Sequence, residues 1–233
     1  MSRRKPRVAI LVTGQTLAPI RARFGDFDQW FRARPNVPAT YRVHKLHEGA
    51  AVPPREDSDG WLITGSPGSV NDELSWLQEA KAGIAEAVGA GHPLLGVCFG
   101  HQLLAVATGG QVEPNPKGWE LGASRVELTE AGRAAVLFQG LGGRPNVYES
   151  HRETVTRLPA DAQVLGGNGM GLQAFQIGPR AFGVQFHPEF TREIAGMYVK
   201  LRGGAVGTDL TEPGEDADAS HRVLSNFIQL LGR

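Results

Sequence analysis

The 233-residue chain has one cysteine, no excess of either charge and no long apolar run, and each scarcity excludes something. A lone cysteine cannot close an internal disulfide, so the chain does not read as a disulfide-stapled secreted domain. Lys and Arg total 24 and Asp and Glu total 24, and a net charge of zero provides no basic field for nucleic acid. No stretch approaches the roughly 18 apolar residues of a membrane span. The opening MSRRKPRVAILV carries too short an apolar segment for a signal peptide and runs directly into a strand pattern. His44 and His47 make no metal pair, since residues three apart on a strand face opposite sides. What is left is a protein of the cytoplasm acting on a small polar substrate, with no membrane and no nucleic-acid partner. About 70–75% of the unfolded surface can be buried at this length, and one domain over residues 1–233 is expected.

The most informative stretch is LLGVCFGHQLLAVATGG, Leu94 to Gly110. Leu94, Leu95 and Val97 form the short apolar run of a buried strand, and Leu103, Leu104, Val106 and Ala107 follow at helical spacing. Strand turns to helix at Cys98. Gly96 and Gly100 flank it two residues to either side, where side chains would collide with the backbone of a sharp strand-to-helix elbow. A thiol at that corner feels the positive end of the helix dipole, which favours the thiolate. An isolated cysteine is more often a small core residue; the flanking glycines turn the reading toward a nucleophile.

Along the rest of the chain, Arg7–Val12 reads as a first buried strand. Phe27, Trp30 and Phe31 mark an amphipathic helix closed by Pro35, and Tyr41–Leu46 is a second strand. Gly60–Thr64 is a third, leading into the loop GSPGSV, Gly65 to Val70, before a helix capped by Asn71 with Leu74, Leu77, Ile84 and Val88 as its core stripe. That loop is either a tight turn or a ligand loop at a strand's carboxyl end. Gln102 lies on the first turn after the elbow, facing a ligand or solvent. After Gly110, shorter strands and turns predict a hairpin and insertion on the main sheet, with a small helical patch at Ala131–Leu137. Trp119 reads as a packing residue, and Lys117 beside it is open.

Asn146–Ser150 is a strand ending in SHRE, where His151 is one candidate base, although nothing local orients it. Val164–Asn168 and Leu172–Ile177 form a hairpin around GNGMG. Ala181–Phe186 is the last strand and ends in HPEF. His187 and Glu189 are two apart in extended chain with Pro188 between them, so both can project to one side; a carboxylate beside an imidazole sets its tautomer. Arg192–Leu201 is a helix, 203–220 a glycine-rich acidic mobile loop, and Val223–Leu231 a closing helix with Leu224, Phe227, Ile228 and Leu231 on one face.

GVCFGHQ and VQFHPE, in that order, resemble the two motifs of the class I, or triad, glutamine amidotransferases, of the type similar to the glutamine domain of GMP synthase. The resemblance covers nearly the whole chain. It implies an α/β fold with a mostly parallel central sheet flanked by helices on both faces, in flavodoxin-like layering. It implies Cys98, His187 and Glu189 as the catalytic triad, and the backbone N–H groups of Ser66 and Phe99 as the oxyanion hole. The family's usual loop has a second glycine where this chain has Ser66. It further implies that Gly68, Gln102, Ser150, Arg152 and Glu153 contact the substrate, and that neither metal nor organic cofactor is needed.

The activity implied is hydrolysis of glutamine's side-chain amide through a γ-glutamyl thioester, releasing ammonia. No phosphate loop or synthetase domain is found in this sequence, so a separate ATP-dependent synthetase is the expected acceptor partner. Two other readings stay open, a γ-glutamyl peptide hydrolase with the same triad and a non-catalytic binding or regulatory domain.

Overall fold

Five of the six residues of β1 (Arg7–Val12) are buried, as a strand must be when helices cover both faces of its sheet. Val8, Ile10 and Val12 enter one hydrophobic core and Ala9 and Leu11 the other, so the two-residue period of the strand separates the two layers. The computed structural model describes residues 4–206 and 220–232. After β1 come α1 (Ala18–Phe24), α2 (Phe27–Ala33), β2 (Thr40–Lys45), β3 (Gly60–Ile63), α3 (Ser75–Gly89), β4 (Leu94–Val97) and α4 (Phe99–Ala107). The next stretch holds β5 (Gln111–Pro114), β6 (Glu120–Arg125), β7 (Glu127–Leu128), α5 (Glu130–Ala134), β8 (Asn146–His151) and β9 (Glu153–Arg157). Last come β10 (Ala162–Asn168), β11 (Gly171–Ile177), β12 (Ala181–Val184), α6 (Arg192–Val206) and α7 (Arg222–Leu231).

The central sheet has eight strands in the order β2-β1-β3-β4-β12-β11-β10-β7. The first five are parallel and the last three continue the sheet antiparallel. This is the mostly parallel α/β sheet expected. The carboxyl ends of β1, β3, β4 and β12 therefore lie side by side, which brings Gly14, Gly65, Cys98 and His187 to one end of the sheet, where parallel α/β folds bind ligands.

Several elements depart from expectation for identifiable reasons. Helix α3 starts at Ser75 with no side-chain cap, because the residues before it are spent on turns. Asp72 Oδ2 accepts from Ser69 N at 3.1 Å, and Asn71 Nδ2 donates to the Val112 carbonyl at 3.0 Å. Leu74 is accordingly 44% exposed, Val88 is only partly buried, and the buried stripe is Leu77, Ala80, Ile84 and Ala87. Helix α1 buries only Ile20, too little periodicity to show in sequence.

The hairpin expected on the main sheet is instead two separate antiparallel ribbons, β5 with β9 and β6 with β8; only β7 joins the sheet. Helix α6 runs on to Val206, so residues 203–206 are helical rather than loop. The remainder of the expected mobile segment, 207–219, lies outside the described residues. Among the described residues no helix is long and apolar enough to cross a membrane.

At the elbow, a Cβ on Gly96 would strike the Gly100 carbonyl, and one on Gly100 would lie 2.5 Å from the Ile63 carbonyl oxygen. In an open helix, Gly→Ala gains up to about 1 kcal/mol. Gly100→Ala is expected instead to lose on the order of 1–3 kcal/mol from overpacking, seen as a lower urea midpoint at unchanged slope. An unchanged or raised midpoint would show that α4 and β3 separate without cost.

Candidate active site

Cys98 has φ 52° and ψ −103° and is the one non-glycine residue with positive φ among the described residues. Such a backbone costs on the order of 1–3 kcal/mol and persists only where its surroundings enforce it. They do so from both sides. Cys98 N donates to the Val184 carbonyl at 2.9 Å, Gly100 N to Thr64 O at 3.1 Å and Gln102 N to Cys98 O at 3.1 Å. The elbow is thus tied to the ends of β12 and β3 at once.

The His187 side chain is buried. Its Nδ1 lies 2.7 Å from Glu189 Oε1, so Nδ1 carries a proton and Nε2 is the ring nitrogen left for a second partner. The ring stacks on Phe190 at 4.0 Å between centroids, and Phe190 stacks in turn on Tyr198 at 4.8 Å. Its backbone N donates to Tyr148 O at 2.8 Å. Burial works against a charge on His187, but the Glu189 carboxylate and then the Cys98 sulfur outweigh it and push the pKa up to about 10. The surroundings of His187 therefore favour its imidazolium form.

The loop after β3 comes close to this pair. A Cβ on Gly65 would sit 3.1 Å from His187 Cε1, so the absent side chain is what lets the loop approach. Ser66 Oγ accepts from Gly68 N at 3.1 Å, and any side chain at Gly14 would strike Ser66. Below it, Thr13 Oγ1 lies 3.0 Å from Thr64 O and 3.1 Å from Gly65 O. Phe99, the first residue of α4, has a backbone N–H without an intrahelical acceptor.

A cavity of about 320 Å³ opens beside Cys98, lined on one side by the Ser66–Ser69 loop and Gln102 and on the other by Pro114, Trp119, Ser150–Glu153 and Arg202. Of the residues expected at the substrate, Gly68, Gln102, Ser150, Arg152 and Glu153 all reach it. Gln102 Nε2 is already committed, donating to Glu153 O at 2.9 Å and Gln185 Oε1 at 3.1 Å. Glu153 Oε1 accepts from Ser69 Oγ at 2.9 Å.

A family model described as glutamine amidotransferase class-I matches residues 33–200. The chain belongs to the class-I glutamine amidotransferases. It is 37% identical over 150 residues to the GMP synthase of Aeropyrum pernix, a match covering 62% of this chain and 28% of that protein. It thus spans little more than a quarter of that relative. A glutamine amidotransferase-like protein of Schizosaccharomyces pombe is 29% identical over 224 residues, covering 87% of each chain. The solved structure of a glutamine amidotransferase from Thermotoga maritima superposes with a TM-score of 0.76 over 99% of both chains at 20% identity, a likeness of fold.

In this amidotransferase His151 is strongly oriented, by Glu149 and Glu153 two residues to either side, contrary to the expectation that nothing local orients it, and by Glu120 across the β6–β8 pairing. Its Nδ1 donates to Glu153 O at 2.9 Å, while Nε2 lies 3.0 Å from Glu120 Oε2 and 3.3 Å from Glu149 Oε2. With both nitrogens engaged, it is no free base for Cys98. Glu120, Glu149 and His151 are also the residues that could ligate a metal, their donor atoms lying within 4.8 Å of one another. Glu120, however, already accepts from Ser124 Oγ (2.7 Å), Asn168 Nδ2 (2.6 Å), Gln173 Nε2 (2.7 Å) and His151. Four donors fill its lone pairs, so the cluster reads as a buried ion network.

Sequence reasoning missed this network, since a carboxylate on β6 meets an imidazole on β8 only through strand pairing. It missed Gly65 and Arg202 as well. Trp119, read as packing, is half-buried on the cavity wall beneath Arg202. The one signal for Arg202 was its i+4 spacing from Tyr198 on α6. Lys117 donates to the Gly169 carbonyl at the β10–β11 turn.

Burial, then the neighbouring Glu120, raise Glu149 from the ordinary 4.5 to about 7, against the downward pull of His151 and His187. A carboxyl raised in the fold contributes stability at low pH that is lost as pH rises through its folded value. Glu149→Gln cannot ionise. The stability difference between variant and wild type is therefore expected to move in the variant's favour from about pH 5 to pH 8, read by urea unfolding. A difference independent of pH would make Glu149 an ordinary ion-paired carboxylate.

Proposed function

We propose that this chain hydrolyses the side-chain amide of glutamine through a γ-glutamyl thioester on Cys98, releasing ammonia to an acceptor bound by a separate ATP-dependent synthetase. The observation that carries this is the strained backbone of Cys98 at the carboxyl end of β4, with the Cys98 sulfur acting electrostatically on a buried His187 whose Nδ1 is held 2.7 Å from Glu189 Oε1. The Cys98 thiolate attacks the carboxamide carbon, and the tetrahedral oxyanion is held by the backbone N–H groups of Ser66 and Phe99. His187 gives its proton to the departing nitrogen and ammonia leaves, with the thioester formed. Water then attacks as His187 takes its proton, and the C–S bond breaks to return the thiolate and glutamate. Glu189 keeps the imidazole's tautomer throughout. Gly68, Gln102, Ser150, Arg152 and Glu153 frame the substrate. The lone thiol suits a reducing compartment, the cytoplasm.

A second substrate class is supported by the wall of Pro114 and Trp119, which would take the leaving amine of a γ-glutamyl peptide through the same thioester. Comparing ammonia release from glutamine with amine release from γ-glutamyl dipeptides separates the two. A role in binding alone would leave the strained backbone at Cys98 without a purpose.

Cys98→Ala is expected to lower turnover by on the order of 10⁴-fold or more, because such a triad acts as a unit; retention of substantial turnover would move the nucleophile elsewhere. Glu189→Gln removes the carboxylate that most favours the imidazolium, so the basic limb of the kcat/KM profile is expected to move to lower pH. A limb that stays in place would mean that it does not report His187.

A further inference from the structure

We propose that Arg202 recognises the α-carboxylate of the substrate, so that the site selects γ-glutamyl compounds whose α-carboxylate is free. This rests on the amide-hydrolysing reading of Cys98 and names the part of the substrate that the cavity reads.

Arg202 lies on α6, away from both sequence motifs, yet lines the same cavity as Cys98. Its guanidinium carbon sits 4.8 Å from the centre of the Trp119 ring and 5.3 Å from that of Tyr198. Its Nη1 donates to Ser150 Oγ at 3.3 Å. Two aromatic rings and a hydroxyl thus hold a planar cation in one place, which lowers the entropy lost when a ligand is bound. Among the described residues, no carboxylate lies within ion-pair distance of it. The other cations near the cavity differ in this respect or in exposure: His151 is taken by Glu120 and Glu149, and Arg152 is exposed.

A guanidinium fork without a protein carboxylate, in a concave site, is suited to bidentate capture of a ligand carboxylate. The opposite charge is present as well. Glu153 lines the cavity with its carboxylate steadied by Ser69, which gives the α-ammonium group a partner. One fixed cation and one fixed anion beside a nucleophile match the zwitterionic end of a γ-glutamyl compound, with the γ-carbonyl directed to Cys98.

The arrangement also accounts for Trp119. Its ring makes the floor on which the guanidinium rests, so the ribbon carrying β6 contributes to specificity through α6. Tyr198 joins the two functions: it stacks on Phe190, which supports His187, and lies beside Arg202.

The test is alkylation of Cys98 by iodoacetamide in the full chain, with protection by L-glutamine compared with protection by L-glutamine α-amide, which lacks the carboxylate. In the wild type, glutamine is expected to protect at concentrations at least about tenfold lower than the α-amide, the scale of one charged hydrogen-bonded pair. In Arg202→Met the two ligands are expected to converge, through a weaker effect of glutamine and an unchanged effect of the α-amide. Arg202→Lys keeps the charge without the fork and is expected to retain only part of the preference, which covers the case of a Met variant that does not fold.

Equal protection by the two ligands in the wild type, or a preference unaltered in the Met or Lys variant, overturns the assignment. So does a preference abolished by Arg152→Met and kept in Arg202→Met. Ammonia release is measured alongside. Carboxylate-dependent protection without turnover would overturn the hydrolytic reading alone, and turnover indifferent to the α-carboxylate would overturn the role of Arg202 alone.

Discussion

The structure depends on a backbone that cannot relax. Cys98 holds φ 52° because its own N–H is bound to β12, the N–H two residues later is bound to the end of β3, and neither Gly96 nor Gly100 has room for a side chain. Strain of about 1–3 kcal/mol is thereby spread over two parallel strands, each packed on both faces. Any relaxation of the turn would have to part those strands, so the sulfur stays where β3 and β12 place it. The same two strands supply the Gly65–Ser69 loop and His187, and the three parts of the site therefore share one rigid frame.

Around that frame the molecule maintains two buried charge systems, adjacent but with different roles. His187 interacts with the sulfur and is itself paired with Glu189. His151, Glu120 and Glu149 face the ribbon of β6 and β8 and act on shape: His151 Nδ1 and Gln102 Nε2 both donate to the Glu153 carbonyl, fixing the start of β9 at the cavity rim. Tyr148 on β8 links the two systems by accepting the backbone N–H of His187. Buried charges of this kind are tolerated only when paired, which explains why the second cluster gathers four donors around Glu120.

The ribbons between β5 and β9 and the far turns of α6 build the cavity's outer wall. They sit off the central sheet, and their residues have no part in the elbow. A division results in which the central sheet positions Cys98, His187 and the Gly65–Ser69 loop, while the added ribbons form the facing wall of the cavity.

The elements legible from sequence were those whose cause lies within a few residues: the alternating β1, the glycines two residues on either side of Cys98, and His187 beside Glu189 with proline between them. Local sterics and side-chain period act over that range, so Leu94–Gly110 and the last strand could be placed, and with them the family. Asn71 misled because a good capping residue was used by Val112, on a segment that no local rule connects to it. Helix α1 stayed hidden because one buried residue makes no pattern. The pairing of Glu120 with His151, the clearance between Gly14 and Ser66, and the seating of Arg202 on Trp119 were decided by tertiary structure alone. Each joins residues that become neighbours only when strands pair or a helix docks, and contact energies of that kind leave no period in a linear chain.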